Sequence, residues 1–325
     1  MNIQQHLPRT PRLRMAIQTA FALFCLYAGW QFYHFLLWAT GHSETAVLRP
    51  SSVEGFLPIS ALLAFKRLVV TGLWDTVHPA GLAILIAAMI MALLARKGFC
   101  GYICPIGLIS RGLAATGKRL NMGKEPPRWL HRGLTSIKYI LFAFFAVTVL
   151  NMNIQSIELF LRAPYNLTAD AKMLQFFLHP TFITLGVFAV LAVLGMLVPY
   201  FWCRYLCPYG AMLGLFSFFS PLAITRNPDT CLHCGKCSKV CPGGIKVEQT
   251  LRVNSPECIG CMQCAEVCPA KGCLEPSLPF IGKIHRAVPG LLAVGILLLI
   301  YFWAIYTGHW DTEMPAAMLR RFYAM

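Results

Sequence analysis

The sequence predicts a mainly α-helical integral membrane protein: a bundle of about five spans, built as two parallel two-helix repeats, with a small cytoplasmic α+β domain. Three observations support this prediction. Of the 325 residues, 57% are hydrophobic and 13% are charged, which is about half the charged fraction of an average soluble protein. The mean hydropathy is +0.60. The 14 cysteines fall in regularly spaced groups. Together these features exclude a small disulfide-linked scaffold, a disordered chain and an ordinary soluble enzyme.

The spans are predicted from apolar runs, because a helix needs about 20 such residues to cross a bilayer. The segments that reach or nearly reach this length are Met15–Trp38, Thr76–Ala95, Leu134–Met152, Thr181–Phe201 and Val288–Tyr306. The first run is too long for the core of a cleaved signal peptide, and no small-residue cleavage site follows it. We therefore expect it to remain in the protein as a helix.

Lysine and arginine predict the orientation, because cytoplasmic segments carry an excess of both. Eight lie between the second and third predicted spans and nine between the fourth and fifth, against three after the first, two after the third and two after the fifth. This alternation predicts a multi-pass protein of a bacterial inner membrane, with the N-terminus inside and the C-terminus outside. The net charge of +15 then reflects cytoplasmic loops, and no nucleic-acid partner is expected. None of the 14 cysteines lies in a segment assigned to the oxidising exterior.

The membrane part of the sequence contains an internal repeat. Val53–Leu57 resembles Ile157–Leu161, 104 residues later, and the pair His78-Pro79 recurs 101 residues later as His179-Pro180. A Cys-x3-Cys-Pro element follows each pair. Both copies run in the same direction, so their pseudo-twofold axis should lie along the membrane normal. We expect this symmetry to bring the two cysteine pairs together at the cytoplasmic side.

The strongest motif is a cysteine pattern that occurs twice in the cytoplasmic segment before the last span. It reads Cys231-x2-Cys234-x2-Cys237-x3-Cys241-Pro and then Cys258-x2-Cys261-x2-Cys264-x3-Cys268-Pro. This is the pattern of bacterial two-cluster ferredoxins, in which the fourth cysteine ligates the other cluster. It predicts two [4Fe–4S] clusters, one bound by Cys231, Cys234, Cys237 and Cys268, the other by Cys258, Cys261, Cys264 and Cys241. The alternative is a pair of zinc sites, but zinc prefers separated C-x2-C pairs.

These motifs divide the chain into five predicted parts. They are a first membrane repeat (1–112), a basic cytoplasmic linker (113–133), a second membrane repeat (134–222), a two-cluster ferredoxin-type domain (223–282), and a C-terminal transmembrane helix with its tail (283–325). The ferredoxin-type part is too small to bury much core, so its clusters should contribute to its folding. Its short apolar stretches, 245–247 and 251–253, suit small hairpins.

The two Cys-x3-Cys-Pro elements predict a third redox or metal centre formed by Cys100, Cys104, Cys203 and Cys207. A spacing of four places two sulfur atoms on one helical face. The proline that follows would break that helix or begin a new one at its first position. We favour an iron–sulfur centre shared between the repeats over a copper site. Buried structural turns, or simply reduced thiols, are the alternatives.

Four further residues are candidates for quinol or proton chemistry: His78, His179, Glu54 and Glu158. Histidine titrates near neutral pH, although residues at these positions more often begin interfacial helices. No span has two histidines at haem spacing, and there is no Cys-x-x-Cys-His or glycine-rich nucleotide loop. Neither haem nor flavin is therefore expected, and no catalytic residue is predicted.

With these motifs, the chain resembles the membrane-bound polyferredoxins grouped with the NapH, MauN and NosR proteins. The resemblance is carried by Val-Glu-Gly-Phe-Leu-Pro after the first span, the two Cys-x3-Cys-Pro elements and the paired cluster motifs, over about residues 10–285. It implies an electron-transfer component of an oxidoreductase system, working between the quinone pool or a cytoplasmic ferredoxin or flavodoxin and a respiratory or periplasmic redox protein. Related assembly ferredoxins imply the alternative, a copper-reducing or metal-handling assembly factor for a respiratory enzyme.

Overall fold

The computed structural model describes residues 10–123 and 125–323, which are mainly helical. The α-helices are α1 (Thr10–Ala39), α2 (Pro58–Thr71), α3 (Pro79–Ala95), α4 (Pro105–Arg119), α5 (Arg128–Asn151), α6 (Ile154–Leu161), α7 (Pro164–Leu167), α8 (Ala169–Leu178), α9 (Phe182–Leu197), α10 (Pro208–Phe218), α11 (Lys236–Lys239), α12 (Gln263–Val267), α13 (Val288–Tyr306) and α14 (Ala316–Tyr323). Residues 113–133, predicted to be a linker, are largely helical because α4 and α5 extend into them.

Three helices in the described ranges are long and apolar enough to cross a membrane: Pro11–Ala39, Trp129–Asn151 and Val288–Tyr306. Helices α8 and α9 meet at a bend of 79° and would add a fourth crossing if the pair is one broken span. The chain is therefore a membrane protein with three or four candidate spans, and the count of five remains a prediction.

The second and fourth predicted spans are shorter as helices than as apolar runs. Helix α3 has 17 residues and α9 has 16. At 1.5 Å per residue each covers about 25 Å, whereas the hydrocarbon core is about 30 Å thick. Arg96 follows α3 directly and Tyr200 lies three residues after α9, and both adopt the left-handed conformation with φ of 58°. The left-handed Arg96 ends α3, and hydropathy does not reveal it. Helix α9 has already ended at Leu197, two residues before Pro199.

The chain divides into two compact units. The cysteine unit comprises the described residues of Met1–Ala22, Ala88–Phe142 and Ala189–Leu297. Its two repeats follow the same course. A short π-helix, Phe99–Ile103 in one and Trp202–Leu206 in the other, follows the apolar helix. Pro105 then begins α4 and Pro208 begins α10, each after a capping cysteine. The prediction that the proline begins a new helix is therefore confirmed.

A four-stranded antiparallel sheet lies in the same unit, with the order β2-β1-β3-β4. Its strands are β1 (Ala223–Arg226), β2 (Arg252–Val253), β3 (Leu274–Leu278) and β4 (Gly282–Lys283). Ile224, Val253 and Leu274 pack with six of the eight cysteines of the two cluster motifs in one core. Of the two apolar stretches predicted as hairpin strands, 251–253 contributes β2, whereas 245–247 leads into a short 3-10 helix.

The carboxylate unit comprises the described residues of Leu23–Ala87, Ala143–Phe188 and Leu298–Met325. It contains α2, α6, α7, α8, α14 and a 3-10 helix over Ser51–Phe56. Leu63, Leu82 and Ile157 are buried in one apolar cluster. This packing holds α2 against α6.

Candidate iron–sulfur centres

The eight cysteines of the cluster motifs line two separate cavities. One cavity is lined by the first cysteine set: Cys231, Cys234, Cys237 and Cys268. Another cavity is lined by the second cysteine set: Cys241, Cys258, Cys261 and Cys264. Each cavity thus takes three cysteines from one motif and one from the other. The structure brings together the residues that the sequence assigned to each cluster.

The two motif loops share one backbone geometry. In the first loop His233 and Gly235 have positive φ, at 48° and 67°; in the second, Gly260 and Met262 have positive φ, at 64° and 59°. These are the second and fourth positions after the first cysteine of each motif. A left-handed His or Met costs about 1–2 kcal/mol, so the surrounding packing must hold it. The curled chain turns three successive thiols toward one cavity, and sequence analysis did not identify His233 or Met262.

The donor chemistry of both sets suits a [4Fe–4S] cluster, which takes four cysteine thiolates. In the described part of the chain, no three His, Cys, Asp or Glu side chains form a group that could hold a single metal ion. The cysteines are instead distributed around each cavity. Such a distribution fits a group whose four irons each bind a different thiolate.

The thiols differ in how readily they ionise, and a ligand must be deprotonated to bind metal. The backbone N–H of His233 donates to Cys231 and lowers the pKa of that thiol. Burial raises the pKa of Cys258 and Cys264 and raises the pKa of Cys241 to about 12. These three thiols therefore need a bound cationic group to lose their protons near neutral pH.

The four cysteines of the Cys-x3-Cys-Pro elements form a second kind of site, the membrane cysteine group. Cys100, Cys104, Cys203 and Cys207 are close enough for their charges to act on one another. The Gly210 N–H donates to Cys207 Sγ at 3.3 Å, and Ser110 Oγ lies 3.5 Å from Cys203 Sγ. The structure brings both pairs together in one unit, and metal binding by them remains a prediction.

A buried ion-pair network adjoins this group. Lys97 Nζ and Lys138 Nζ lie 3.4 and 2.5 Å from the same carboxylate oxygen of Glu257, and Tyr139 donates to the other oxygen at 2.8 Å. Both ammonium groups act on the thiols of Cys203 and Cys207. Burial alone would raise the pKa of Glu257, but the two lysines outweigh it and hold it at about 2.

This network contains two cations and one carboxylate, which leaves one buried positive charge to be balanced. The thiols of the membrane cysteine group are anionic when they bind metal, so they can supply that balance. Sequence analysis missed this network. The available signal was Lys138, the one charged residue in the apolar run predicted as the third span.

The membrane cysteine group adjoins the second cysteine set through direct contacts. The Lys97 N–H donates to the Cys258 carbonyl at 3.4 Å, and the Tyr102 hydroxyl donates to the Gly260 carbonyl at 3.0 Å. A Cβ atom on Gly101 would lie 2.3 Å from the Ile259 carbonyl oxygen. Only glycine permits that approach, and it brings the chain beside Cys100 against the cluster loop.

A different polar cluster lies in the carboxylate unit. Arg49 pairs with Glu54 at 2.7 Å and with Asp170 at 2.8 Å. His78 Nδ1 is 3.5 Å from Glu54, and the Tyr323 hydroxyl donates to Asp170 at 2.8 Å. The cluster thus includes two of the four residues predicted for quinol or proton chemistry. Sequence analysis missed the other three.

The remaining two predicted residues lie elsewhere in the unit. Glu158 pairs with Arg67, and His179 is an exposed residue at the end of α8. The structure therefore does not bring the two His-Pro copies into one site. A role of His179 or Glu158 in proton chemistry remains a prediction.

Two family models match the chain. The model described as a 4Fe-4S dicluster domain matches residues 223–269, which contain all eight cysteines of the cluster motifs. The model described as a 4Fe-4S binding domain matches twice, over residues 77–123 and 178–225. Each of these matches contains one Cys-x3-Cys-Pro element, in agreement with the internal repeat.

Curated relatives extend the similarity over nearly the whole chain. The putative electron transport protein YccM of Escherichia coli is 38% identical over 95% of this chain and 88% of its own length. Protein NirI of Paracoccus denitrificans is 31% identical over 66% of the chain and 32% of its own length. The methylamine utilization ferredoxin-type protein MauN of the same organism is 26% identical over 52% of the chain and 56% of its own length. No solved structure matches the chain.

Proposed function

Since this chain belongs to the membrane-bound polyferredoxins, a family of iron–sulfur electron-transport proteins with members such as YccM and NirI, we propose that it relays electrons through the cytoplasmic membrane. The two ends of the relay are a quinol pool or cytoplasmic donor and a respiratory or periplasmic redox partner. The lining of two cavities by two crossed cysteine sets is the observation that carries this proposal.

The first and second cysteine sets each hold one [4Fe–4S] cluster in this proposal. A bound cluster accepts and releases one electron with little movement of its ligands, so the chain needs no substrate pocket. The left-handed residues of each loop hold three thiols around one cavity, and the fourth thiol comes from the other motif. Because each cluster takes its fourth cysteine from the other motif, the two loops form one small domain with a shared buried core.

The membrane cysteine group continues the route as a third redox centre. Its support is the buried charge of Lys97 and Lys138, which suits an anionic metal–thiolate centre. The contact of Gly101 with Ile259 puts this group beside the second set. Cys234 of the first cysteine set is exposed, so a cytoplasmic donor docks beside this set. Basic residues on the inner segments favour an acidic donor such as a ferredoxin or flavodoxin.

The test is electron transfer across proteoliposomes that contain the purified protein. A reductant is added on the side of the ferredoxin-type domain, and an oxidant is trapped on the other side. We expect the double variant Cys203→Ser, Cys207→Ser to retain the iron of both clusters and to lose the transfer. The control is Cys25→Ser, which removes a thiol of α1 outside all three sites and should transfer at the wild-type rate.

Undiminished transfer by the double variant would refute the third centre. Copper is measured alongside iron in the same preparations. Copper bound in proportion to the protein and lost in the double variant would favour the metal-handling alternative over the relay.

A further inference from the structure

Arg14 is a buried cation beside the second cysteine set. Its side chain is 1% exposed, and its Nε donates to the Gly101 carbonyl at 2.9 Å. Its two terminal nitrogens have no hydrogen-bond partner within the described residues, and its charge acts on the thiol of Cys261. A guanidinium is always charged in proteins, and burying it without a counter-charge is costly. The ionised second set supplies that counter-charge.

Two further buried cations face the same set from the segment after α3. Arg96 is 1% exposed and Lys97 is 3% exposed, and both act on the thiol of Cys258. Within the described residues, the Arg96 guanidinium donates only to backbone carbonyls. The carboxylate in this neighbourhood is Glu257, which Lys97 and Lys138 already share. The surroundings of the second set therefore carry a clear excess of positive charge.

The first cysteine set lies in a different electrostatic environment. The carboxylate of Glu248 is 3.9 Å from Cys237 Sγ. The charge of Arg286 reaches the thiol of Cys268, but Arg286 is already paired with Glu275 at 2.7 Å. Cys234 is exposed, so solvent and salt screen the charges near it. Arg226 acts on the thiol of Cys231, but the carboxylate of Glu248 beside Cys237 offsets this charge. The first set therefore has a smaller excess of buried positive charge around it than the second.

Reduction adds a negative charge to a cluster, and net charge, hydrogen bonds and solvent exposure set its potential. Burial of the second set opposes reduction, whereas its cations favour it. Charges interact several times more strongly in partly buried surroundings than in water, and several cations act here together.

We infer that Arg14, together with Arg96 and Lys97, gives the cluster of the second set a higher reduction potential than that of the first. An electron from a reduced ferredoxin- or flavodoxin-type donor enters at the first set and then passes to the second. The first cluster is oxidised by one electron as the second is reduced by one. Electrons thus move toward the membrane cysteine group. This inference rests on the proposed function and adds the direction of flow.

The test is a redox titration of the purified holoprotein, followed by paramagnetic resonance. We expect two midpoint potentials. Arg14→Gln should lower the higher midpoint by at least a tenfold change in the ratio of reduced to oxidised cluster, about 59 mV for one electron, and should leave the lower midpoint in place. Arg14→Lys, which keeps the charge, should hold the higher midpoint close to its wild-type value. Arg12→Gln removes an exposed arginine from the same helix and is the matched control.

A second variant tests whether the lower midpoint belongs to the cluster of the first cysteine set. Glu248→Gln removes the carboxylate beside Cys237 and should raise only the lower midpoint. The inference is overturned if Arg14→Gln retains all its iron with both midpoints unchanged, or if Glu248→Gln moves the higher one. If Arg14→Gln does not accumulate with clusters, the response to Glu248→Gln decides alone. Wild-type protein without any cluster signal would instead contradict the proposed function.

Discussion

Replacing Glu257 by Gln should destabilise the protein strongly, because it leaves Lys97 and Lys138 buried without a carboxylate. Lys97 is 3% exposed and Lys138 is fully buried. At an effective dielectric constant of 20, a pair of unit charges 3.4 Å apart attract by about 5 kcal/mol. After desolvation is counted, removal of one partner from a buried pair costs about 3–5 kcal/mol. Glutamine keeps the size and the accepting oxygen, so the charge is the main change.

The assay is thermal unfolding of the holoprotein in detergent at one fixed scan rate. With about 2 °C per kcal/mol for a chain of this size, we expect the midpoint to fall by roughly 6 °C or more. The matched control is Glu44→Gln, because Glu44 is an exposed carboxylate. A surface substitution of this kind changes the stability by about 0.5 kcal/mol or less. The reasoning is refuted if the two variants lose the same amount.

One pH series and two further variants test the contacts between the second cysteine set and the segments beside it. The pKa of Glu257 is about 2, against an ordinary 4.5. The ionised carboxylate therefore stabilises the folded protein fully above pH 4.5, and this contribution is lost as the pH falls toward 2. Unfolding midpoints measured across this range should show the loss in wild type and not in Glu257→Gln. Gly101→Ala would put a Cβ 2.3 Å from the Ile259 carbonyl oxygen and should lower the free energy of unfolding by about 1–3 kcal/mol, measured by the same unfolding midpoint. The control is Gly112→Ala in α4, which has open space around it. It should be neutral or stabilising by up to about 1 kcal/mol. Tyr102→Phe leaves the buried Gly260 carbonyl without its donor and should cost about 1–3 kcal/mol; an unchanged unfolding midpoint would show that this contact does not hold the cluster loop.

The cysteine sets could be anticipated from the sequence because their spacing is local. Three cysteines within seven residues can reach one cluster only if the chain curls around it, and the proline after the fourth directs that cysteine to the other site. The prolines after Cys104 and Cys207 predicted helix starts for the same reason, since their effect on the backbone does not depend on distant residues.

The charged surroundings of the sites could not be anticipated in this way. The Lys138 and Glu257 side chains meet across 119 residues of sequence, and Arg14 reaches the Gly101 carbonyl across 87. Such pairs depend on how the helices pack. The short length of α3 was hidden for another reason, because hydropathy does not report the left-handed backbone at Arg96. The end of α9 at Leu197 precedes Pro199, a signal that hydropathy also ignores.

The internal repeat did not predict the different surroundings of its polar residues. His78 is buried in an ion-pair cluster with Glu54, whereas its sequence counterpart His179 is exposed. The copies keep their helix-starting prolines and cysteines but have acquired different side-chain contacts in the carboxylate unit. Arg49 and Asp170, which have no place in the repeat pattern, determine where His78 and Glu54 lie.

The central claim is that sulfur atoms of this chain hold iron for one-electron transfer, and the most direct measurement is the iron and acid-labile sulfide content of anaerobically purified protein. Two four-iron clusters predict about eight irons per chain, and a filled membrane cysteine group predicts more. Reduction with dithionite should produce the paramagnetic signals of reduced [4Fe–4S] clusters. A colourless preparation with no iron and no such signal would contradict the account.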